Sequence, residues 1–277
     1  MRKYLSVFTA LCVLLSVFAT SSAVAVEGAP VMTRIQNSGK LVLGTSGTMP
    51  PMTETLDSGK VVGLDIDLAN LMAETMGVKL VIKVMPFEQL IPALESGKVD
   101  VVLSNMTINP SRNLRVAFVG PYLNSGKCMI TREEKIATAD NPEKLNHPQT
   151  SIAVLKGSTS EDFGRMLLVK ARIVPVKNYA AGIELVRTGK VKAMLSDYPI
   201  CVAVTRQHAD EGFVTIFSTL TYEPIGVALP GNDPLFINWM ENFLQRLDKV
   251  GLLQMLATKW MGEIKLKEME PESRDQR

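Results

Sequence analysis

Two stretches of the chain carry one pattern. Leu94-Glu95-Ser96-Gly97-Lys98-Val99-Asp100-Val101-Val102-Leu103-Ser104-Asn105 aligns with Val186-Arg187-Thr188-Gly189-Lys190-Val191-Lys192-Ala193-Met194-Leu195-Ser196-Asp197 at a constant offset of 92. The Gly-Lys-Val triplet, a Leu and a Ser coincide. In each stretch apolar residues at helical spacing run up to a glycine, and a β-rich run follows at once. That order reads as helix, tight turn and buried strand. Found twice in the same context, it predicts two halves built alike.

The flanking sequence extends the pattern. Leu41-Val42-Leu43 reads as a strand ending at Gly44, and Asp65 as the cap of a helix striped by Leu68, Leu71, Met72 and Met76 and stopped by Gly77. Leu80, Ile82 and Val84 alternate as a strand, and Phe87, Leu90, Ile91 and Leu94 repeat as a helix. Around the second stretch, residues 151–155, 173–176 and 191–195 read as strands, and residues 160–168, 180–188 and 201–208 as helices. Strands alternating with helices predict an α/β chain whose halves are mainly parallel sheets flanked by helices. Ligands of such sheets bind beyond the carboxyl ends of the strands. Those ends are small and polar here: Ser104-Asn105, Ser196-Asp197, residues 44–48 and residues 156–160. Two such edges turned toward each other form a cleft.

Composition narrows the function. The 277 residues are 46% hydrophobic and 21% charged, with a net charge of +2, so the chain has no strongly basic face for nucleic acid. Arg2 and Lys3, an apolar run over residues 4–18 and the small residues 21–25 read as a secretory signal peptide spanning residues 1–25. The apolar run is shorter than the ~20 residues a membrane span needs. Cys12 follows Leu11 rather than a small residue, so no lipid-attachment box is present. Cys128 and Cys201 then remain as the only thiols, either paired or buried singly. The chain carries no GxSxG, HExxH, GxxxxGK[ST] or GxGxxG motif. His147 and His208 sit in polar surroundings and read as surface residues, so no metal and no cofactor is expected.

Three features suit recognition of a small ion. Thr107-Ile108-Asn109-Pro110-Ser111-Arg112 follows a strand, and Arg112 offers a planar fork for a carboxylate unless it is a plain surface arginine. Gly157-Ser158-Thr159-Ser160 opens a helix with N–H groups and hydroxyls that suit an anion, or simply caps that helix. Asp197 ends its strand where it could hold a cation or cap the next helix. Together they supply a fork for a carboxylate and a counter-charge for an amine, on opposite halves of the chain.

At the level of whole blocks the sequence resembles the amino-acid-type extracellular solute-binding proteins of bacterial ABC importers, with the two-lobe type 2 periplasmic binding fold. The blocks are residues 59–69, residues 90–100, Met106 to Arg112, Phe118-Val119-Gly120-Pro121-Tyr122, Gly157 to Ser160, Ser196-Asp197 and Lys259-Trp260-Met261-Gly262. The resemblance implies residues 26–124 as the first part of lobe 1, 125–225 as lobe 2, and 226–277 as the rest of lobe 1 with a charged tail. Two crossings, residues 122–131 and 222–229, would form the hinge, and helices with Trp239 and Trp260 would fold back on lobe 1. It implies Arg112 on a ligand α-carboxylate, Asn105, Thr107, Ser158 and Thr159 adding contacts, and Asp197 on the α-ammonium. It further implies a monomer in the periplasm that delivers an amino acid or related carboxylate to an inner-membrane permease.

The pattern also departs from that family. Ser46 stands where many members carry an acid, and Met49-Pro50-Pro51-Met52 replaces a segment whose aromatic rings sandwich the ligand. Thioethers adapt but give up cation–π attraction, so a basic ligand is disfavoured. Some relatives on this scaffold are cyclohexadienyl dehydratases, which need a general acid. Glu54, in a stretch that reads as a turn, is the one acid near the Met-Pro-Pro-Met segment. A receptor role for a signalling partner uses the same ligand step.

Overall fold

The computed structural model describes residues 28–137, 145–217 and 221–262, so the expected signal peptide and the charged tail lie outside the described residues. Two five-stranded sheets share one order. In the first, Lys79–Val84, Lys40–Thr45, Val101–Val102, Glu223–Leu229 and Ala117–Ser125 lie side by side. In the second, the order is Arg172–Val176, Ser151–Leu155, Ala193–Asp197, Lys127–Thr131 and Val214–Phe217. In each sheet four strands run in one direction and the fourth in order runs antiparallel to both its neighbours, so each sheet is mainly parallel with one reversed strand. The chain leaves the first sheet after Ser125, enters the second at Lys127, and is back in the first at Glu223.

The repeated stretches adopt one geometry. Gly97 and Gly189 both have φ of 69°, the left-handed conformation that glycine adopts without strain. Their N–H groups close the helices onto Leu94 and Val186 carbonyls, and the lysines that follow donate to Ala93 and Leu185. Each turn then feeds the third parallel strand of its sheet.

Asp65 is not a helix cap. The helix Leu64–Met76 is capped by Gly63, whose φ is 136° and where a Cβ would stand 2.1 Å from the Met52 carbonyl oxygen. Only glycine fits there, which frees the Asp65 carboxylate for other partners. The Thr-Glu-Thr stretch is not a turn either: Thr53–Thr55 is the middle strand of a small antiparallel sheet with Thr48–Met49 and Val61–Val62.

Lobe 1 is completed by both ends of the described chain. Asp233 accepts Phe236 N–H at the start of Pro234–Lys249, and its other oxygen accepts Val31 and Met32 N–H in Pro30–Ser38. In Leu252–Met261, Trp260 Nε1 and Lys259 Nζ both reach Asp67 Oδ2 at 2.7 Å. Trp239 and Trp260 pack on the lobe 1 core. A second apolar cluster crosses the cleft, joining Met49, Phe87 and Met106 to Leu155, Tyr179 and Met194, so the lobes are closed on each other. Cys128 and Cys201 form a disulfide that ties Lys127–Thr131 to the helix Tyr198–Gln207.

Candidate functional site

The third parallel strands point into the cleft, and their ends meet. Asn105 and Asp197, equivalent positions of the two stretches, are joined by a 3.3 Å bond from Asn105 Nδ2 to Asp197 Oδ2. Asn105 has a left-handed backbone, φ 48°, which asparagine tolerates better than most residues. Asp65 pins it there: Oδ2 accepts Asn105 N–H at 2.8 Å and Oδ1 accepts the Tyr122 hydroxyl at 2.7 Å. Burial raises the Asp65 pKa to about 7, against the pull of the Tyr122 and Asn105 hydrogen bonds. Burial, helped by the Asp65 charge, raises Tyr122 well above the usual tyrosine range.

Next to this junction lies a buried ion cluster centred on Lys127. Strand register sets Lys127 directly opposite Asp197, and their side chains are 1% and 5% exposed. Lys127 Nζ donates to Asp197 Oδ1 at 2.6 Å and to Thr159 Oγ1 at 2.7 Å, and lies 3.2 Å from Glu223 Oε2. The same Glu223 oxygen accepts the hydroxyls of Thr107 at 2.8 Å and Thr159 at 2.9 Å. A buried ammonium is tolerable because it donates two hydrogen bonds and two carboxylates offset its charge.

Arg112 forms the other pole. Asn109 caps its four-residue helix, Pro110–Asn113, by accepting Arg112 N–H at 2.8 Å. The guanidinium donates to Thr107 O at 2.7 Å in lobe 1 and to Gly157 O at 3.1 Å in lobe 2, and lies 5.5 Å from the Phe87 ring centroid. Burial lowers its pKa, opposed by the charges of Asp197, Asp162 and Glu223, yet a guanidinium stays protonated. Among the described residues no carboxylate forms an ion pair with it. Beside it opens a cavity of about 320 Å³, walled in part by Phe87, Glu88, Met106, Arg112, Gly157 and Asp162.

Known proteins agree with this architecture. The sequence profile of the bacterial extracellular solute-binding proteins, family 3, matches residues 41–263. The chain belongs to that family. One relative of this solute-binding protein is the cyclohexadienyl dehydratase of Pseudomonas aeruginosa, 28% identical over 228 residues, covering 82% of this chain and 85% of the relative. Among solved structures, an ancestral amino-acid-binding protein, precursor of cyclohexadienyl dehydratase, matches at TM-score 0.77 and 32% identity over 83% of this chain and 99% of its own. A binding component of an ABC transporter from Wolinella succinogenes, complexed with lysine, matches with the same TM-score, identity and coverage. Other relatives are named as amino-acid-binding proteins, for L-cystine, histidine, arginine and glutamine, two of them as components of ABC transporters, and the family is described as extracellular.

In this solute-binding protein the cleft brings Asn105, Thr107, Arg112, Thr159 and Asp197 together. Asp197 does not cap its helix; its carboxylate goes to Lys127 and Asn105. Ser158 does cap: its Oγ accepts Glu161 N–H and donates to Leu155 O, which commits the hydroxyl to its own helix. Ser46 and Ser104 form a buried pair at 2.9 Å, with Ser104 Oγ 3.5 Å from Met49 Sδ. Met49 belongs to the cluster that crosses the cleft, whereas Met52 is buried in the lobe 1 core. Glu54 is half-exposed in the small sheet, and no hydrogen bond or ion pair joins it to the cluster. Of the histidines, His147 is exposed and His208 pairs with Glu211 at 2.6 Å. Sequence reading missed Lys127, Glu223, Asp65 and Tyr122. The one local signal was a charge placed in each predicted crossing, Lys127 in the first and Glu223 in the second.

Proposed function

We propose that the chain is the periplasmic binding component of an ABC importer, which captures an amino acid or related small carboxylate by lobe closure and delivers it, as a monomer, to a membrane permease. One observation carries this reading. Among the described residues Arg112 is a buried cation whose hydrogen bonds go to carbonyl oxygens of the two facing lobes and to no carboxylate, so a ligand carboxylate set on its remaining N–H donors would supply the direct ion pair it lacks. Ligand binding across the lobes favours the closed form, the state a permease would recognise. A thermal-shift screen of amino acids and small carboxylates tests it, because a ligand of the native state raises the melting temperature. At least one carboxylate should do so, and a flat screen confirmed by calorimetry would overturn the reading.

The similarity to cyclohexadienyl dehydratase supports a second reading, catalysis in the same cleft. Under the binding reading, incubation with prephenate or arogenate leaves both unchanged. Product formation by wild type that survives Glu54→Gln would establish an enzyme and place its acid elsewhere.

A further inference from the structure

The position expected for a ligand ammonium is filled by the chain itself. Lys127 Nζ has three N–H donors, and three acceptors surround it: Asp197 Oδ1, Thr159 Oγ1 and Glu223 Oε2. Lys127 and Asp197 stand opposite each other on neighbouring strands of one sheet, so their pairing belongs to lobe 2 and does not depend on the lobes meeting. An ammonium arriving at Asp197 must either displace this buried lysine or sit beside its charge, and both are unfavourable where water is excluded. The opposite pole is open, since two donated bonds to carbonyls leave most of the five Arg112 N–H groups for an anion. One more group lacks a partner. Asn105 Oδ1 is buried and accepts no hydrogen bond, while the bond from Nδ2 to Asp197 fixes which way the amide faces.

From this asymmetry we propose that the cleft selects small carboxylates with no ammonium on the carbon next to the carboxylate, Lys127 standing in for that group. Acids with a 2-hydroxyl fit best, because the hydroxyl supplies the donor that Asn105 Oδ1 lacks. The proposal rests on the reading that the cleft captures a small carboxylate, and it narrows that class.

The test uses matched sets that share one carbon skeleton, titrated calorimetrically into the full mature protein. Leucine, 2-hydroxy-4-methylpentanoate and 4-methyl-2-oxopentanoate make one set; glutamate, 2-hydroxyglutarate and 2-oxoglutarate make another. The nitrogen-free acids should bind roughly tenfold or more tightly than the amino acid of the same skeleton. Lys127→Met should shift that ratio at least tenfold toward the amino acid, by vacating the seat beside Asp197. Lys127→Gln, which keeps a hydrogen-bond donor, is the second variant should the first fail to fold. Wild-type preference for the amino acid, or a ratio unmoved in the folded variant, overturns this proposal and leaves the capture function standing. No binding from either set, together with a flat thermal-shift screen, overturns both.

Discussion

The two lobes repeat each other in backbone and differ in charge. Both carry the same sheet order, the same helix–glycine–strand turn and the same glycine φ, yet the strands end in Asn105 on one side and Asp197 on the other. Lobe 1 uses a buried acid, Asp65, to hold a neutral amide in place. Lobe 2 presents its acid and answers it with a buried lysine. Neither Lys127 nor Glu223 comes from a repeated stretch; both lie where the chain passes between the sheets. The repeat builds the cleft walls and supplies Asp197, and the crossings add the charges that answer it, Lys127 and Glu223.

Removing the pole on the lobe 1 side should have the largest effect. Arg112→Ala should lose two to four decades of ligand affinity by calorimetry, about 3–5 kcal/mol, the scale for a broken desolvated ion pair. A variant within threefold of wild type would dissolve the contrast between the poles.

The lobe 1 strand end should also be the pH-sensitive one. Asp65 is raised from 3.8 to about 7 by burial, so between those values the folded chain holds a proton that the unfolded chain has released. Stability from this group therefore falls as pH rises from about 4 to 7, by roughly 4 kcal/mol, and is level above and below that window. Asp65→Asn cannot ionise and should lose this slope in urea titrations across the window. Parallel slopes in the two proteins would remove Asp65 as the cause.

Lobe 2 relies on a covalent tie instead. The disulfide joins residues separated by 73 positions and flanks the Lys127–Asp197 pair, with Cys128 next to Lys127 and Cys201 one turn beyond Asp197. Replacing both cysteines by alanine should cost about 2–4 kcal/mol in denaturant unfolding. The loss should fall on lobe 2 amides in hydrogen exchange, and a loss spread evenly over both lobes would contradict the assignment.

What the sequence made legible follows from range. The glycine turns, the strand ends and the polar residues beside them are set by neighbours a few positions away, so Asn105, Thr107, Arg112, Thr159 and Asp197 could be read from local pattern. Lys127 meets its partner through an antiparallel register 70 residues away, and Tyr122 reaches Asp65 over 57, distances at which no local pattern speaks. Direction was equally hidden in the Met-Pro-Pro-Met segment, where Met49 faces the cleft and Met52 the core. Asp65 looked like a cap because acids often cap, and only the tight approach of Gly63 to Met52 shows why a glycine holds that position.

Asp233 has a consequence for synthesis. One carboxylate starts the helix at Pro234 and also anchors the helix at Pro30, so lobe 1 stays unfinished until nearly the entire polypeptide has emerged. The strands of lobe 2 all come from residues 127–217, and the later residues Thr221 and Glu223 that reach Lys127 follow closely behind them. During vectorial emergence the middle of the protein can become native while its beginning waits for its end.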